Sequence, residues 1–238
     1  MEIEDKLSRE LDIPIFHNDQ HAIAILVTAT YHKKSMDRFK NSCCRCRSNW
    51  IFKIRLLINF NPDDIILTNT KGIIYDGRPD LNSVVSKMVK ITNKHKIKGT
   101  LADALYGEDA FIWVSAANII TSKVIEGMNK DAIVFALTNL ILEIMPKNAF
   151  KGGARIFPTG RPDFPNHINN IVFYPGIFRG TLIVRVKAIV KDMKIAAAKA
   201  LASLASDREL NEKFIVSDIF DKKYAKVFAE EVANVANL

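Results

Sequence analysis

Asp19 stands between His17 and His21, and a carboxylate in that company is the first place along the chain where metal chemistry is conceivable. A hard divalent cation takes carboxylate and carbonyl oxygens and seldom imidazole, so the two histidines read as structural neighbours of the carboxylate. By itself Asp19 is equally a good helix N-cap before Gln20. Three more polar residues follow apolar runs: Ser115 after Val114, Asn139 after Phe135-Ala136-Leu137-Thr138, and Asn169 in the pair Asn169-Asn170. A side-chain amide donates and accepts, so an asparagine at a strand end can hold a carboxylate or a sugar hydroxyl, although turns and caps use the same residue. Cys43, Cys44 and Cys46 are an odd number set too closely for a disulfide framework, and no second pair follows to complete a zinc site.

Residues of this kind need a scaffold, and the hydrophobic pattern supplies one. Glu2 to Leu11 reads as a helix, Ile13 to Phe16 as an extended piece because a proline disfavours helix before it, and Gln20 to Lys34 as an apolar, buried helix. Beyond residue 60 short apolar runs alternate with helical patterns: Ile65-Ile66-Leu67, Phe111 to Val114, Ile133 to Ala136 and Ala154 to Phe157. Unbroken runs of this length are strands buried on both faces, which predicts a doubly wound, Rossmann-like parallel α/β sheet. Ligands of such sheets lie outside the carboxyl ends of the strands. Gly176 and Gly180 read as a sharp turn around Phe178 leading into a long helix from Val184 to Leu204. Asp207 to Phe214 and Lys222 to Asn237 extend this into a C-terminal helical cap.

Composition narrows the function classes. The 238 residues are 48% apolar and carry a net charge of +8 spread along the chain, with no recognised nucleic-acid module. No apolar run is long enough to span a membrane and no basic, apolar leader opens the chain, so neither nucleic acid nor membrane is expected as a partner and the location expected is cytoplasmic.

Several segments together resemble prokaryotic-type malic enzymes. Ile13-Pro14-Ile15-Phe16-His17-Asn18-Asp19-Gln20-His21 is similar to that family's IPVFHDDQH, and Lys71 to Arg78 to its KGxIYEGR. Phe135 to Asn139 is similar to FALANP, Gly160 to Asn166 to GRSDFPN, and Asn169 to Gly180 to NNxxxFPGIFRG. The resemblance implies oxidative decarboxylation of malate to pyruvate and CO2, with NAD or NADP as cofactor and Mg2+ or Mn2+ as the metal. It implies that Asp19 ligates the metal, that Asn139 meets cofactor and substrate, that Asn169 meets the malate carboxylate, and that Ser115 lies beside the cofactor. Asn69 stands where an acidic residue often accepts the adenosine ribose hydroxyl, which leaves NAD against NADP open. A homodimer is also implied. On this view residues 1–35 join a missing N-terminal catalytic domain, residues 36–180 bind the dinucleotide and residues 181–238 form the helical segment. The missing part would carry the family's tyrosine, lysine and paired Glu-Asp metal ligands.

The chain departs from that family most at the place where a dinucleotide site needs glycine. A glycine-rich turn lets the backbone approach the pyrophosphate and present N–H groups at a helix N-terminus. Here Arg45, Arg47 and Trp50 occupy the three glycine positions. Allowed codons for Lys40 to Phe52, read one base later, spell KIVVAGAGATGF, so two compensating one-base shifts would account for a scrambled glycine-rich loop. Smaller departures are Ala22-Ile23 for Gly-Thr and Leu140 for a proline. Two other functions compete: a catalytically inactive α/β interaction module, and a nucleic-acid binder using Arg45, Arg47 and Lys53.

Overall fold

The computed structural model describes residues 2–18, 21, 22, 24, 25, 27, 29, 41–45, 51–113, 120–137, 141–168, 174–204, 211–215 and 222–236. Helix α1 (Glu2–Glu10) opens the chain, and the described residues from His21 to Ala29 are helical and buried. Strands β1 (Asn41–Arg45), β2 (Asp64–Asn69), β3 (Gly72–Ile73), β4 (Ala110–Trp113) and β5 (Ile133–Ala136) form one sheet in the order β3-β2-β1-β4-β5. β1 pairs in parallel with both β2 and β4, and β4 with β5. The sheet is not wholly parallel, because β3 turns back against β2. At the start of β3, Gly72 adopts a φ of +103°, where a Cβ would lie 2.3 Å from the Gly99 carbonyl oxygen. Only glycine fits that approach.

Successive strand residues point to opposite faces, and both faces are covered. Ile65, Leu67, Ile112, Ile133 and Phe135 face one core, which includes Ala22, Ile25, Ile54 and Leu57. Helices α2 (Ile51–Ile58) and α3 (Ser83–Met88) belong to that side, together with α7 (Tyr174–Ile183), α8 (Lys191–Leu204) and α9 (Lys222–Ala236). Ile66, Phe111, Trp113 and Val134 face the second core, under α4 (Leu101–Leu105), α5 (Ser122–Ile125) and α6 (Pro146–Lys151). The doubly wound architecture expected from the apolar runs is therefore present.

The C-terminal third differs from the sequence expectation in three places. Gly176 and Gly180 lie within α7 and form no turn. The chain reverses later, where Arg185 takes a φ of 52° and Val186 N–H donates to the Thr181 carbonyl at 3.3 Å, with Arg185 N–H donating to Leu182 at 3.3 Å. That pair of bonds is a Schellman ending, so the expected helix from Val184 to Leu204 begins only at Lys191. Asn211 to Phe214 is a turn closed by an antiparallel bridge, not a helix; residues 207–210 lie outside the described residues. The run Ala154 to Phe157 gives only an isolated parallel bridge, Ile156 to Ile133, with Thr159 bridging Ala136 beyond it.

Gly180 has a packing reason. A Cβ there would sit 2.8 Å from the Ala229 carbonyl oxygen and 2.9 Å from Val232 Cβ, so α7 and α9 cross at a distance only a hydrogen permits. Helix propensity alone would make alanine the better residue by roughly 1 kcal/mol. Overpacking opposes it, and Gly180→Ala is expected to lower stability by about 1–3 kcal/mol, measured as the shift of the urea midpoint. A stabilised variant would show that the crossing is looser than the structure has it.

Candidate functional site

The strand order reverses between β1 and β4, since the chain adds β2 and β3 on one side and β4 and β5 on the other. A crevice beyond the carboxyl ends of β1 and β4 is the ligand position such a sheet creates. β1 ends at Arg45 and β4 at Trp113, and α2 begins at Ile51 after a five-residue connection, 46–50. A strand and a helix are thus in place, five residues apart in the chain, as a dinucleotide site requires. The residue types at the turn do not fit: Arg45 closes β1 where glycine is required, and Arg47 and Trp50 lie outside the described residues.

Four of the sequence candidates, Asp19, Ser115, Asn139 and Asn169, lie outside the described residues. β4 ends at Trp113, two residues before Ser115, and β5 at Ala136, three before Asn139. Ile168, which donates its N–H to the Thr159 carbonyl at 2.7 Å, immediately precedes Asn169. Among the described residues, no group of three His, Cys, Asp or Glu side chains could hold a metal ion.

Asn69 is described, and it ends β2. Its Oδ1 accepts from Lys71 N–H at 2.9 Å and from Arg78 Nη2 at 3.0 Å. The first bond is an Asx-turn that starts the return into β3. Arg78 also donates from Nη1 to the Ile73 carbonyl at 2.8 Å, and from Nε and Nη2 to the two Asp80 oxygens at 2.7 and 3.0 Å. Lys71 Nζ approaches the same carboxylate at 2.9 Å. The hydrogen bonds from Arg78 and then Lys71 hold the Asp80 carboxyl down at about 2. Among the described residues the Asn69 amide nitrogen has no hydrogen-bond partner, so it can donate to a ligand. Arg78 and Asp80 were not singled out from the sequence, although Arg78 closes the segment Lys71 to Arg78.

A second family-like segment also proves to be structural. Arg161 forks onto Asp163, with Nε to Oδ1 at 2.8 Å and Nη2 to Oδ2 at 2.5 Å. Asn166 donates from Nδ2 to the Glu212 carbonyl at 2.7 Å and accepts from Ile215 N–H at 3.1 Å. That asparagine ties the edge of the sheet to the C-terminal segment and fixes the stretch leading to Asn169.

His21 is 3% exposed and 2.7 Å from Glu4 Oε1, with its ring against Phe16. Burial, assisted by the Lys194 charge, pushes its pKa down to about 4. Burial likewise brings the Lys194 amine down to about 8. For Glu4 burial acts the other way, but the bond to His21 and the nearby positive charge prevail and hold it low.

The amino ends of the strands carry Asp64, Glu108 and Asp109, at the opposite end from the crevice. Glu108 is 4% exposed and its Oε2 has no hydrogen-bond partner. Burial, then the charges of Asp64 and Asp109, raise its pKa from 4.5 to about 8. The folded chain thus keeps this proton where the unfolded chain has lost it, so stability falls as pH rises from about 4.5 to about 8. The slope from this group is at most about 1.4 kcal/mol per pH unit. Glu108→Gln should flatten it: the variant is expected to be more stable than the parent at alkaline pH and to show no such gain near pH 5. Equal urea midpoint differences at both pH values would sink the assignment.

A family model described as "Malic enzyme, NAD binding domain" matches residues 61–237, starting after the segment that lacks glycine. The chain is 41% identical over 241 residues to the bifunctional malic/malolactic enzyme of Bacillus subtilis, covering 98% of this chain and 59% of that protein. It is 36% identical to the NAD-dependent malic enzyme of Geobacillus stearothermophilus, over 99% of this chain and 50% of that protein. With the NADP-dependent malic enzyme of Rhizobium meliloti it shares 40% identity over 86% of its length and 28% of the relative's. The crystal structure of the NAD-dependent malic enzyme from Thermotoga maritima superposes with a TM-score of 0.89 at 31% identity, covering 98% of this chain and 63% of the other. The chain thus spans about half the length of the curated relatives that it matches along nearly its whole extent.

Proposed function

The chain belongs to the malic enzyme family, and from that membership we propose that it is the dinucleotide-binding part of an enzyme converting malate to pyruvate and CO2 with reduction of NAD or NADP. The observation that carries this is the sheet order β3-β2-β1-β4-β5, which sets a nucleotide crevice between β1 and β4. Residues 36–180 are the dinucleotide-binding unit, residues 1–35 join it to an upstream catalytic part, and residues 181–238 are the helical cap. Malate and pyruvate are the small-molecule substrate and product, and the cytoplasm is the location. A homodimer belongs to the same proposal, as does a Mg2+ or Mn2+ ion with Asp19 among its ligands. No helix among the described residues is long and apolar enough to cross a membrane.

Within that reading the roles of the candidates follow from their chemistry. The Asn69 amide would donate to the adenosine ribose or its phosphate, Ser115 would lie beside the nucleotide, and Asn139 and Asn169 would hold the carboxylate of malate. Asn139 would also touch the cofactor. The chain as encoded does not fit the pyrophosphate, so no step is assigned to a bound nucleotide.

The turn has an explanation in the gene. Trp50 has a single codon, tgg, and every isoleucine codon begins with a, so reading one base later across Trp50 and Ile51 gives gga, a glycine whatever codons are used. Arg45 followed by Cys46 gives ggt, and Arg47 followed by Ser48 gives gga, where the arginine codons are agg. The offset reading as a whole places valines where β1 lies and glycines at the three required positions, in register with the β1-to-α2 connection. Two compensating one-base shifts bracketing this segment therefore account for a scrambled loop in an otherwise intact domain.

Two measurements test the proposal. The genomic sequence across Lys40 to Phe52 should spell the glycine-rich turn in the second frame, and codons that do not spell it end the frame-shift account. In fluorescence titration with NADH and NADPH, the chain as encoded should show no saturable binding. Replacing residues 40–51 with KIVVAGAGATGF should restore it for at least one nucleotide. Absence of binding in the restored chain favours the inactive interaction module instead.

A further inference from the structure

A cavity of about 270 Å3 opens on the other side of the molecule's helical layer, lined by His21, Ala24, Arg55, Leu56, Lys191 and Lys194. Three of these are cations and none is a carboxylate. Arg55 and Lys191 are exposed, and neither charged head has an ion-pair or hydrogen-bond partner among the described residues. Lys194 Nζ has the two His21 ring nitrogens at 3.2 Å as its polar neighbours, while the Glu4 carboxylate is engaged with His21 at 2.7 Å. Ala24, 2% exposed, and Leu56, 6% exposed, supply apolar wall. Charges beside such a wall are screened less than on open surface, so Arg55 and Lys191, together with Lys194 whose charge is partly met by Glu4, form an attraction for an anion there.

We propose that this cavity is a binding site for a small oxyanion, a phosphate group or a short dicarboxylate, gripped by the Arg55 guanidinium fork and the ammonium groups of Lys191 and Lys194. A planar guanidinium pairs with two oxygens of such an anion at once, and each ammonium acts as a point charge for the remaining oxygens. The site is separate from the nucleotide crevice: Arg55 lies in the last turn of α2, at the opposite end from the 46–50 connection, and Lys191 and Lys194 come from α8. The anion would join α2 to the helical segment around His21 and to α8, the last two of which already meet through the Lys194 and His21 contact. Occupancy therefore stabilises the folded chain by mass action.

The test is calorimetric titration of the full chain at neutral pH and low ionic strength with inorganic phosphate and, separately, with succinate. Saturable binding in the millimolar range by at least one of them is expected, with a rise in melting temperature at saturation. Binding should weaken at least tenfold in the double variant Arg55→Gln with Lys191→Gln, whose two positions are exposed and whose ligand-free melting temperature should equal that of the parent. Response to phosphate alone identifies a phosphate group as the ligand chemistry, and response to succinate alone a dicarboxylate. Failure of both to saturate, or binding that the double variant retains, overturns the proposal. Neither result depends on nicotinamide binding, so the outcome is separable from that of the function proposed above.

Discussion

The fold depends on β1. It lies between β2 and β4 in a parallel ladder, and it marks the point at which the strand order reverses. A central parallel strand draws its place from backbone hydrogen bonds made to both sides, and those bonds do not depend on side-chain type. That is why Asn41-Ser42-Cys43-Cys44-Arg45, a poor match to the Ile and Phe runs of β2, β4 and β5, still takes the central register, Cys43 opposite Ile66 and Phe111. The crevice exists because the sheet divides at this strand. What occupies the crevice depends on the residues just past it, and there the backbone has no such tolerance, since a pyrophosphate needs absent side chains and not merely a strand end.

The helical layer answers to a different constraint. α7 and α9 meet so closely that Gly180 can carry no side chain, while α8 contributes Met193, Ala197 and Leu201 to the same core. On its polar edge Lys194 reaches His21, and His21 reaches Glu4 in α1, so one buried chain of contacts joins the first helix to the C-terminal layer. Burial keeps the imidazole neutral and lowers the lysine to about 8, so at neutral pH the contact is a hydrogen-bond relay in which a neutral ring lies between a carboxylate and a lysine that is still mostly charged. A relay of this kind specifies which partner lies where more than it contributes net stability.

How much of this was legible in the sequence varied with the type of burial. β4 and β5 were readable because strands covered on both faces are written as unbroken apolar runs, and Phe111 to Trp113 and Ile133 to Ala136 are such runs. The break between α7 and α8 was not readable, because apolar residues continue through it at helical spacing and its Schellman ending uses Arg185 where glycine would have announced it. Gly176 and Gly180 misled in the opposite direction: glycine within a helix marks a close approach by a neighbour, which one chain read alone does not display. At the candidate site Asn69 was named through the resemblance alone, and the structure adds that it ends β2. Arg78 and Asp80 were not, because what they do arises only when the turn at Gly72 folds the chain back on Asn69. Asp19, Ser115, Asn139 and Asn169 rest on resemblance and position along the chain.

The family-like segments divide by what their residues do. Those beyond residue 60 have retained structural work that would be lost by change: Arg78 stitches the β2 to β3 return, Arg161 forks onto Asp163, and Asn166 holds the segment at Glu212 and Ile215. The connection between β1 and α2, residues 46–50, has a different part in sheets of this class, which is to be short and to offer backbone N–H groups. The sheet keeps its register across β1 although Arg45, Arg47 and Trp50 stand where such a connection has glycine. The sequence thus separates two demands that dinucleotide binding makes together: a sheet that divides at β1, and a glycine surface that lets a phosphate approach the division.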